Sequence, residues 1–144
     1  MQDTVGQDVQ TVVFRLGEQE YGIDIFKVQE IIKIPKITGL PNTADYVKGI
    51  INLRGCIIPV IDLKSRFTKS ESVYCEDSRV IVVEMNAKRT GLIVDEVMEV
   101  VRINGNMVEQ DGFTQNGTGA DYLMGIAKMG DRLLILLDIN ALLN

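Results

Sequence analysis

VVFRLGEQEYGIDIFKVQEIIKI, residues Val12–Ile34, returns in altered form as IVVEMNAKRTGLIVDEVMEVVRI, residues Ile81–Ile103. At this offset of 69 positions Gly22 meets Gly91, Val28 meets Val97, Glu30 meets Glu99 and Ile34 meets Ile103. A second pair of stretches follows in the same order, YVKGIINLRGCIIPVIDL (Tyr46–Leu63) against YLMGIAKMGDRLLILLDI (Tyr122–Ile139). It aligns Tyr46 with Tyr122, Gly49 with Gly125, Ile50 with Ile126 and Asp62 with Asp138. Two ordered matches to one pattern mark a tandem repeat. The offset grows to 76 because the middle loop, Asn104–Asp121, is longer in the second copy.

Each copy reads as a run of short strands. Thr11–Leu16 is β-branched and apolar, Gly17-Glu18-Gln19-Glu20 turns the chain, and Tyr21–Asp24 returns, a hairpin pattern. Ile25, Val28 and Ile32 recur at helical spacing and predict one or two turns of helix before a strand through Ile34. Pro35, Gly39 and Pro41 interrupt the chain. Lys48–Leu53 and Cys56–Ile61 then form strands about an Arg54-Gly55 turn, with Pro59 favouring an edge or a bulge. The second copy predicts strands at Val80–Met85 and Thr90–Val94, a short helix near Asp95–Met98, and strands near Val100–Ile103, Leu123–Lys128 and Leu133–Leu137. Several short strands in ~60 residues suit a small closed barrel, which leaves no open sheet edge. The expected architecture is mainly β: a flexible tail over 1–10, a first β-barrel over 11–68, a linker over 69–79 and a second β-barrel over 80–144. Units this small bury little alone, so the two are expected to share a core.

The composition of the 144 residues excludes several chemistries. There is no histidine, so no Ser-His-Asp or Cys-His catalysis, no imidazole metal ligand and no phosphohistidine. Net charge is −5, unevenly spread. Residues 1–70 carry nine Lys/Arg against eight Asp/Glu, and residues 71–144 carry six against twelve. Phosphate backbones and anionic lipid repel such a chain. A barrel that binds single-stranded nucleic acid, the competing reading, needs aromatic platforms in a basic groove. Here aromatics make up 6% of the chain and tryptophan is absent. Met1–Val5 lacks the charged and apolar regions of a secretory signal, and the longest apolar run, Cys56–Ile61, is far short of the ~20 residues that span a bilayer. Two cysteines without CxxC spacing predict free thiols in a reducing compartment. No metal and no cofactor is expected.

Among motifs, Gly117-Thr118-Gly119-Ala120 lacks the lysine of a phosphate loop. Asp95-Glu96…Glu99 is better placed at the positive end of the predicted helix than around a metal. Asp62 and Asp138 end equivalent strands and are expected to cap the turns that follow. Asn52-Leu53-Arg54-Gly55 differs: its counterpart, Lys128-Met129-Gly130-Asp131, lacks the arginine. What only one copy carries is the better candidate for function. A guanidinium at such a turn seeks a carboxylate, and Glu30 is the expected partner.

The stretches LGEQEYGIDIFKVQEI (16–31), KGIINLRGCIIPVIDLKSRF (48–67), GLIVDEVMEVV (91–101) and GDRLLILLDINALL (130–143) closely resemble the bacterial chemotaxis coupling proteins, the CheW family. The resemblance implies two SH3-like five-stranded barrels packed on a common hydrophobic core, with no enzymatic activity. In that family the first strand can pair with the other copy's barrel, so residues 11–16 can belong with the second one. It further implies a cytoplasmic adaptor at membrane-associated chemoreceptor arrays, itself not inserted in the membrane. Its partners would be the cytoplasmic tip of methyl-accepting chemoreceptors and the regulatory domain of the chemotaxis histidine kinase. Carried over by position, Val28, Glu30, Asn52, Arg54 and Gly55 of the first copy and Val97 and Val100 of the second would line a receptor groove between the barrels. The kinase contacts would fall at Gly39, Leu40, Pro41, Lys48, Gly49 and Ile51.

Overall fold

The structure is a computed structural model and describes residues 8–68, 73–109 and 122–143. The chain runs β1 (Asp8–Leu16), β2 (Gln19–Asp24), a 3-10 turn (Ile25–Lys27), β3 (Val28–Lys33), β4 (Val47–Leu53), β5 (Cys56–Asp62) and α1 (Leu63–Thr68). It continues through β6 (Arg79–Met85), β7 (Lys88–Val94), β8 (Glu96–Asn104), a second 3-10 turn (Gly105–Met107), β9 (Val108–Glu109), β10 (Leu123–Met129), β11 (Arg132–Leu137) and α2 (Ile139–Leu143). Most of the second copy's long loop, the glycine-rich 117–120, the linker's first residues and the tail to residue 7 lie outside the described residues. Residues 8–10, expected in the tail, are already strand.

The strands form a five-stranded sheet in the order β3-β6-β7-β5-β4 and a six-stranded sheet in the order β8-β1-β2-β11-β10-β9. The sheets therefore divide the chain differently from the repeat. The second copy's first hairpin, β6–β7, sits among the first copy's strands, and the first copy's hairpin, β1–β2, sits among the second copy's. Two compact units result, residues 15–17 with 27–97 and residues 8–14 with 18–26 and 98–143. The boundaries expected at 68 and 80 divide the repeat; the units are divided by strand pairing.

The glycines matched across the repeat show why the exchange is reciprocal. β5 runs parallel to β7 with Val60 opposite Gly91, and β11 runs parallel to β2 with Leu136 opposite Gly22. A Cβ on Gly91 would lie 2.7 Å from the Val60 and Val80 side chains; one on Gly22 would lie 2.6 Å from Thr11 and 3.2 Å from Leu136. Each glycine lets a hairpin strand and a parallel strand close over it, and Thr11/Leu136 are the repeat equivalents of Val80/Val60.

Burial follows the strand period. In the five-stranded unit Ile51, Ile58, Val60, Val80, Val82 and Ile93 form a core flanked by Ile32, Ile34, Ile37 and Leu53. In the six-stranded unit Val13, Ile103, Ala127 and Leu134 do so, flanked by Val101, Val108, Met129 and Leu136. Each such aliphatic side chain, fully buried, contributes roughly 1.5–3 kcal/mol. Pro59, expected at an edge or a bulge, is in an interior strand, but the described pairing of β5 with β7 starts one residue later, at Val60. Its missing amide falls where β5 has a neighbour on one side only.

Of the two predicted helices, the first is present only as its shortest form and the second does not form. Ile25–Lys27 makes a single 3-10 turn, and β3 starts at Val28, paired antiparallel to β6. Around Asp95–Met98 the chain bends once and enters β8. Asp95 instead accepts a hydrogen bond from the Gly17 amide at 2.7 Å, with Lys64 Nζ at 3.8 Å and Arg15 Nη1 at 4.0 Å. A carboxylate held from three sides is not free to open a helix. The expected caps are found. Asp62 Oδ1 accepts from the Ser65 amide at the start of α1, and Asp138 Oδ1 from the Asn140 and Ala141 amides at the start of α2.

The β6–β7 turn places Asn86 at φ 53° and Ala87 at φ 65°. Asparagine tolerates that region; alanine pays for its Cβ there. Ala87→Gly should therefore stabilise the protein by about 0.5 kcal/mol, the relief of strain less the extra chain entropy of glycine. A thermal melt should show a rise of about 1–2 °C.

Candidate functional site

The β4–β5 turn has Arg54 at φ 51° and Gly55 at φ 89°, the signature of a two-residue type I′ hairpin. The Asn52 side chain closes it, Oδ1 accepting from the Gly55 amide at 2.9 Å. Glycine and asparagine are the ordinary occupants of the first turn position; arginine there stores strain on the order of 1 kcal/mol. The repeat equivalent of Arg54 is Gly130, at φ 62°, so the second copy turns with a residue built for it. A strained arginine where the twin sequence uses glycine is held there for its side chain.

That side chain reaches β3. Arg54 Nη2 donates to Glu30 Oε1 at 2.6 Å and Oε2 at 2.8 Å, so the expected ion pair is present. Glu30 is positioned by the β3–β6 pairing, just past a register shift that leaves Val28 opposite Val83 and Glu30 opposite Val82. Gln29, inside the shift, turns outward and donates to Glu84. The Glu30 side chain is 26% exposed and that of Arg54 is 68% exposed. One guanidinium nitrogen takes both carboxylate oxygens, leaving the other donors turned to solvent. An exposed pair of this kind adds only about 0–1 kcal/mol to stability. It aims donors outward from a fixed point.

The second copy has its own version, which the alignment hides. Glu99, the equivalent of Glu30, bonds Arg132 Nη1 at 2.7 Å, and Arg132 Nη2 bonds Glu20 at 2.7 Å. Arg132 stands on β11, two positions beyond the residue aligned with Arg54. The arginine is displaced rather than missing, and two carboxylates clamp it. Both hydrogen bonds strengthen its hold on the proton, so its pKa moves up.

The remaining candidates are not all brought together. Val28 is half-buried beside Glu30, and Asn52 and Gly55 are exposed with the turn. Val97 is half-buried and Val100 is 49% exposed. They are three apart on one strand, which alternates faces every residue, so they belong to opposite faces. Met98, 43% exposed, shares Val100's face. Of the residues expected at the kinase contact, Gly39, Leu40 and Pro41 are exposed and Lys48 is half-buried. Ile51 is 1% exposed in the core, so its side chain has no surface to offer, a correction to its expected role. Gly49 is likewise buried against Thr38. Sequence reasoning passed over Ile57, 61% exposed opposite Asn52 on β5. In the run CIIPVI it looks like core, and only the alternation of burial turns it outward. Among the described residues no group of three Cys, Asp or Glu side chains could hold a metal ion, and Cys56 and Cys75 are free and exposed. No helix among them is long and apolar enough to cross a membrane.

Fold and site together define a protein of two SH3-like β-subdomains, with a hairpin arginine pinned to a neighbouring strand. The model of the CheW-like domain matches residues 10–144, and the chain belongs to that family, the non-enzymatic scaffolding proteins of chemotaxis. It is 39% identical over 142 residues to the chemotaxis protein CheW of Klebsiella aerogenes, covering 99% of this chain and 84% of that one. To the chemotaxis protein CheW of Treponema pallidum it is 34% identical over 140 residues, covering 94% and 82%. The crystal structure of the scaffolding protein TtCheW from Thermoanaerobacter tengcongensis is similar with a TM-score of 0.80 and 42% identity, covering 91% of this chain and 89% of that one.

Proposed function

We propose that this chain couples the cytoplasmic tip of methyl-accepting chemoreceptors to the regulatory domain of the chemotaxis histidine kinase, by contact alone, in the cytoplasm at receptor arrays. The observation that supports it best is the strained, outward-aimed Arg54 locked to Glu30. A receptor helix needs apolar anchors and charges that fix its orientation. Val28, on the same strand as Glu30, and Asn52 and Gly55, in the same hairpin as Arg54, are proposed to act with this pair, and Val97 and Val100 are proposed as the contribution of β8. That these surfaces line a groove between the barrels comes from the family resemblance. The exposed Gly39, Leu40 and Pro41 with Lys48 are the surface proposed for the kinase.

Co-sedimentation with membranes carrying receptor and kinase, read alongside kinase autophosphorylation, tests the proposal. Wild-type protein should sediment and place the kinase under receptor control. Arg54→Gly relieves the turn while removing the pair, so stability should change by less than about 1 kcal/mol. Receptor binding should weaken by about tenfold or more, as for truncation of an interfacial charge. Wild-type protein that stays in the supernatant, or Arg54→Gly that couples normally, overturns the assignment. Retention of a labelled oligonucleotide at physiological salt would favour a nucleic-acid module instead.

A further inference from the structure

We propose that the first copy of the repeat carries a binding site for a small zwitterion of the α-amino-acid class, in the cleft between the turn that leads into β4 and helix α1. The cleft has a volume of about 300 Å³ and is lined by Ala44, Asp45, Tyr46, Ser65 and Arg66, all in the five-stranded unit. That volume is at the small end of ligand sites. Backbone bonds fix both walls. The Val47 amide donates to the Ala44 carbonyl at 3.0 Å, and the Asp62 amide donates to the Tyr46 carbonyl at 2.8 Å. The Asp62 carboxylate in turn holds the Ser65 amide of α1.

The second copy builds the same frame with different side chains. There the Asp138 amide donates to the Tyr122 carbonyl at 2.7 Å, and Ala120-Asp121-Tyr122 matches Ala44-Asp45-Tyr46 in sequence. However, α2 has Ala141 and Leu142 where α1 has Ser65 and Arg66. Leu142 is 4% exposed, an ordinary core residue, whereas Arg66 is half-buried. The frame thus needs neither a hydroxyl nor a guanidinium in order to fold.

Three polar groups of the first copy meet in this cleft. Ser65 is 9% exposed, and its hydroxyl has no hydrogen-bond partner among the described residues. Buried hydroxyls ordinarily have one, so a group that lacks it is a candidate to bond a ligand. Arg66 stands over the Tyr46 ring at 5.0 Å. Its five donors can serve several acceptors, and a carboxylate is the anion whose shape they fit. Asp45 is exposed and forms no ion pair among the described residues. A bare anion would meet a like charge in Asp45, and a bare cation would meet one in Arg66. A molecule with a carboxylate for Arg66 and Ser65 and an ammonium for Asp45 satisfies all three.

Titration of L-glutamine into the isotope-labelled full chain, followed by amide chemical shifts, tests this. Shifts at residues 44–46 and 65–66 should saturate with a Kd on the order of 1 mM, as suits so small a ligand in an open cleft. Acetate, methylammonium and inorganic phosphate, which each supply one charge only, should bind about tenfold more weakly or worse. Ser65→Ala, which introduces the residue α2 carries at the matching place, should weaken glutamine binding by about tenfold. It should melt at or above the wild-type temperature, because a buried hydroxyl without a partner contributes nothing to the fold. Arg66→Leu and the exposed Asp45→Asn should weaken binding at least as much. Absence of saturable shifts up to about 20 mM glutamine overturns the proposal. So does acetate or phosphate that binds as well as glutamine, or glutamine binding that survives Ser65→Ala and Arg66→Leu. A Ser65→Ala protein that melts well below wild type also overturns it, since the hydroxyl would then serve the fold.

Discussion

Gly49→Ala is expected to destabilise the protein by about 3 kcal/mol or more and to lower its melting temperature by roughly 8 °C or more. The residue has φ +143°, a conformation left to glycine. A Cβ built there lies 2.0 Å from the Thr38 carbonyl oxygen and 2.9 Å from the Gly39 Cα, backbone atoms that no rotamer change can move aside. Thr38 is itself fixed, exchanging both backbone hydrogen bonds with Ile50 at 2.9 Å. Moving its carbonyl away from the methyl breaks the bridge that holds the 34–46 connection against β4. The neighbour provides the control. A Cβ on Gly39 meets only the Lys48 carbonyl oxygen, at 4.0 Å, so Gly39→Ala should be within about 0.5 kcal/mol of wild type. Equilibrium denaturation of the pair separates two meanings of a lost kinase contact. Loss in Gly49→Ala follows from misfolding, whereas loss in the folded Gly39→Ala would mark a contact surface. Equal stability of the two variants would refute the steric argument.

The same glycine shows what can be read from a sequence. Gly49 and Gly125 align in the repeat, and both have strongly positive φ beside a register shift in the β4–β5 and β10–β11 pairs. A backbone need that recurs leaves the same residue in both copies. The Arg54–Glu30 pair was legible for a related reason, since an arginine in a turn built for glycine lacks a local explanation. The strand exchange was not legible in the residues themselves; the family resemblance alone suggested it, and only for residues 11–16, which lie in β1 of the six-stranded sheet. It is decided by parallel pairs such as Leu136 with Gly22, more than a hundred residues apart, and no local periodicity carries that information. Ile25, Val28 and Ile32 fit helical spacing as well as a turn followed by a strand, and pairing with β6 decides between them. The Arg132 clamp escaped because alignment tracks position along the chain while an ion pair tracks position in space. An arginine two residues along the hairpin reaches the equivalent glutamate equally well.

Asp62→Ala should cost about 2–4 kcal/mol, lowering the melting temperature by roughly 5–12 °C. The carboxylate is 1% exposed and both oxygens are used. Oδ1 accepts from the Ser65 amide at 3.2 Å, capping α1, and Oδ2 accepts from the Tyr74 hydroxyl at 2.7 Å. A lost cap costs typically about 1 kcal/mol, and a lost hydrogen bond to a charged group about 1.5–3. Asp62→Asn keeps an acceptor of the same shape, so its loss should be about half as large. The phenol adds a signature in pH. Burial first, then the hydrogen bond to Asp62 and the charges of Asp62 and Asp95, raise the Tyr74 pKa above its ordinary 10.0. The folded state thus favours the protonated phenol more than the unfolded chain does. Its contribution is complete below pH 10 and is lost as pH rises above that value. Tyr74→Phe should accordingly lower stability at neutral pH by the one hydrogen bond and flatten the alkaline fall between pH 10 and 12. A Tyr74→Phe protein with wild-type stability at pH 7 and the same alkaline profile would show that the Asp62 carboxylate holds α1 without the phenol.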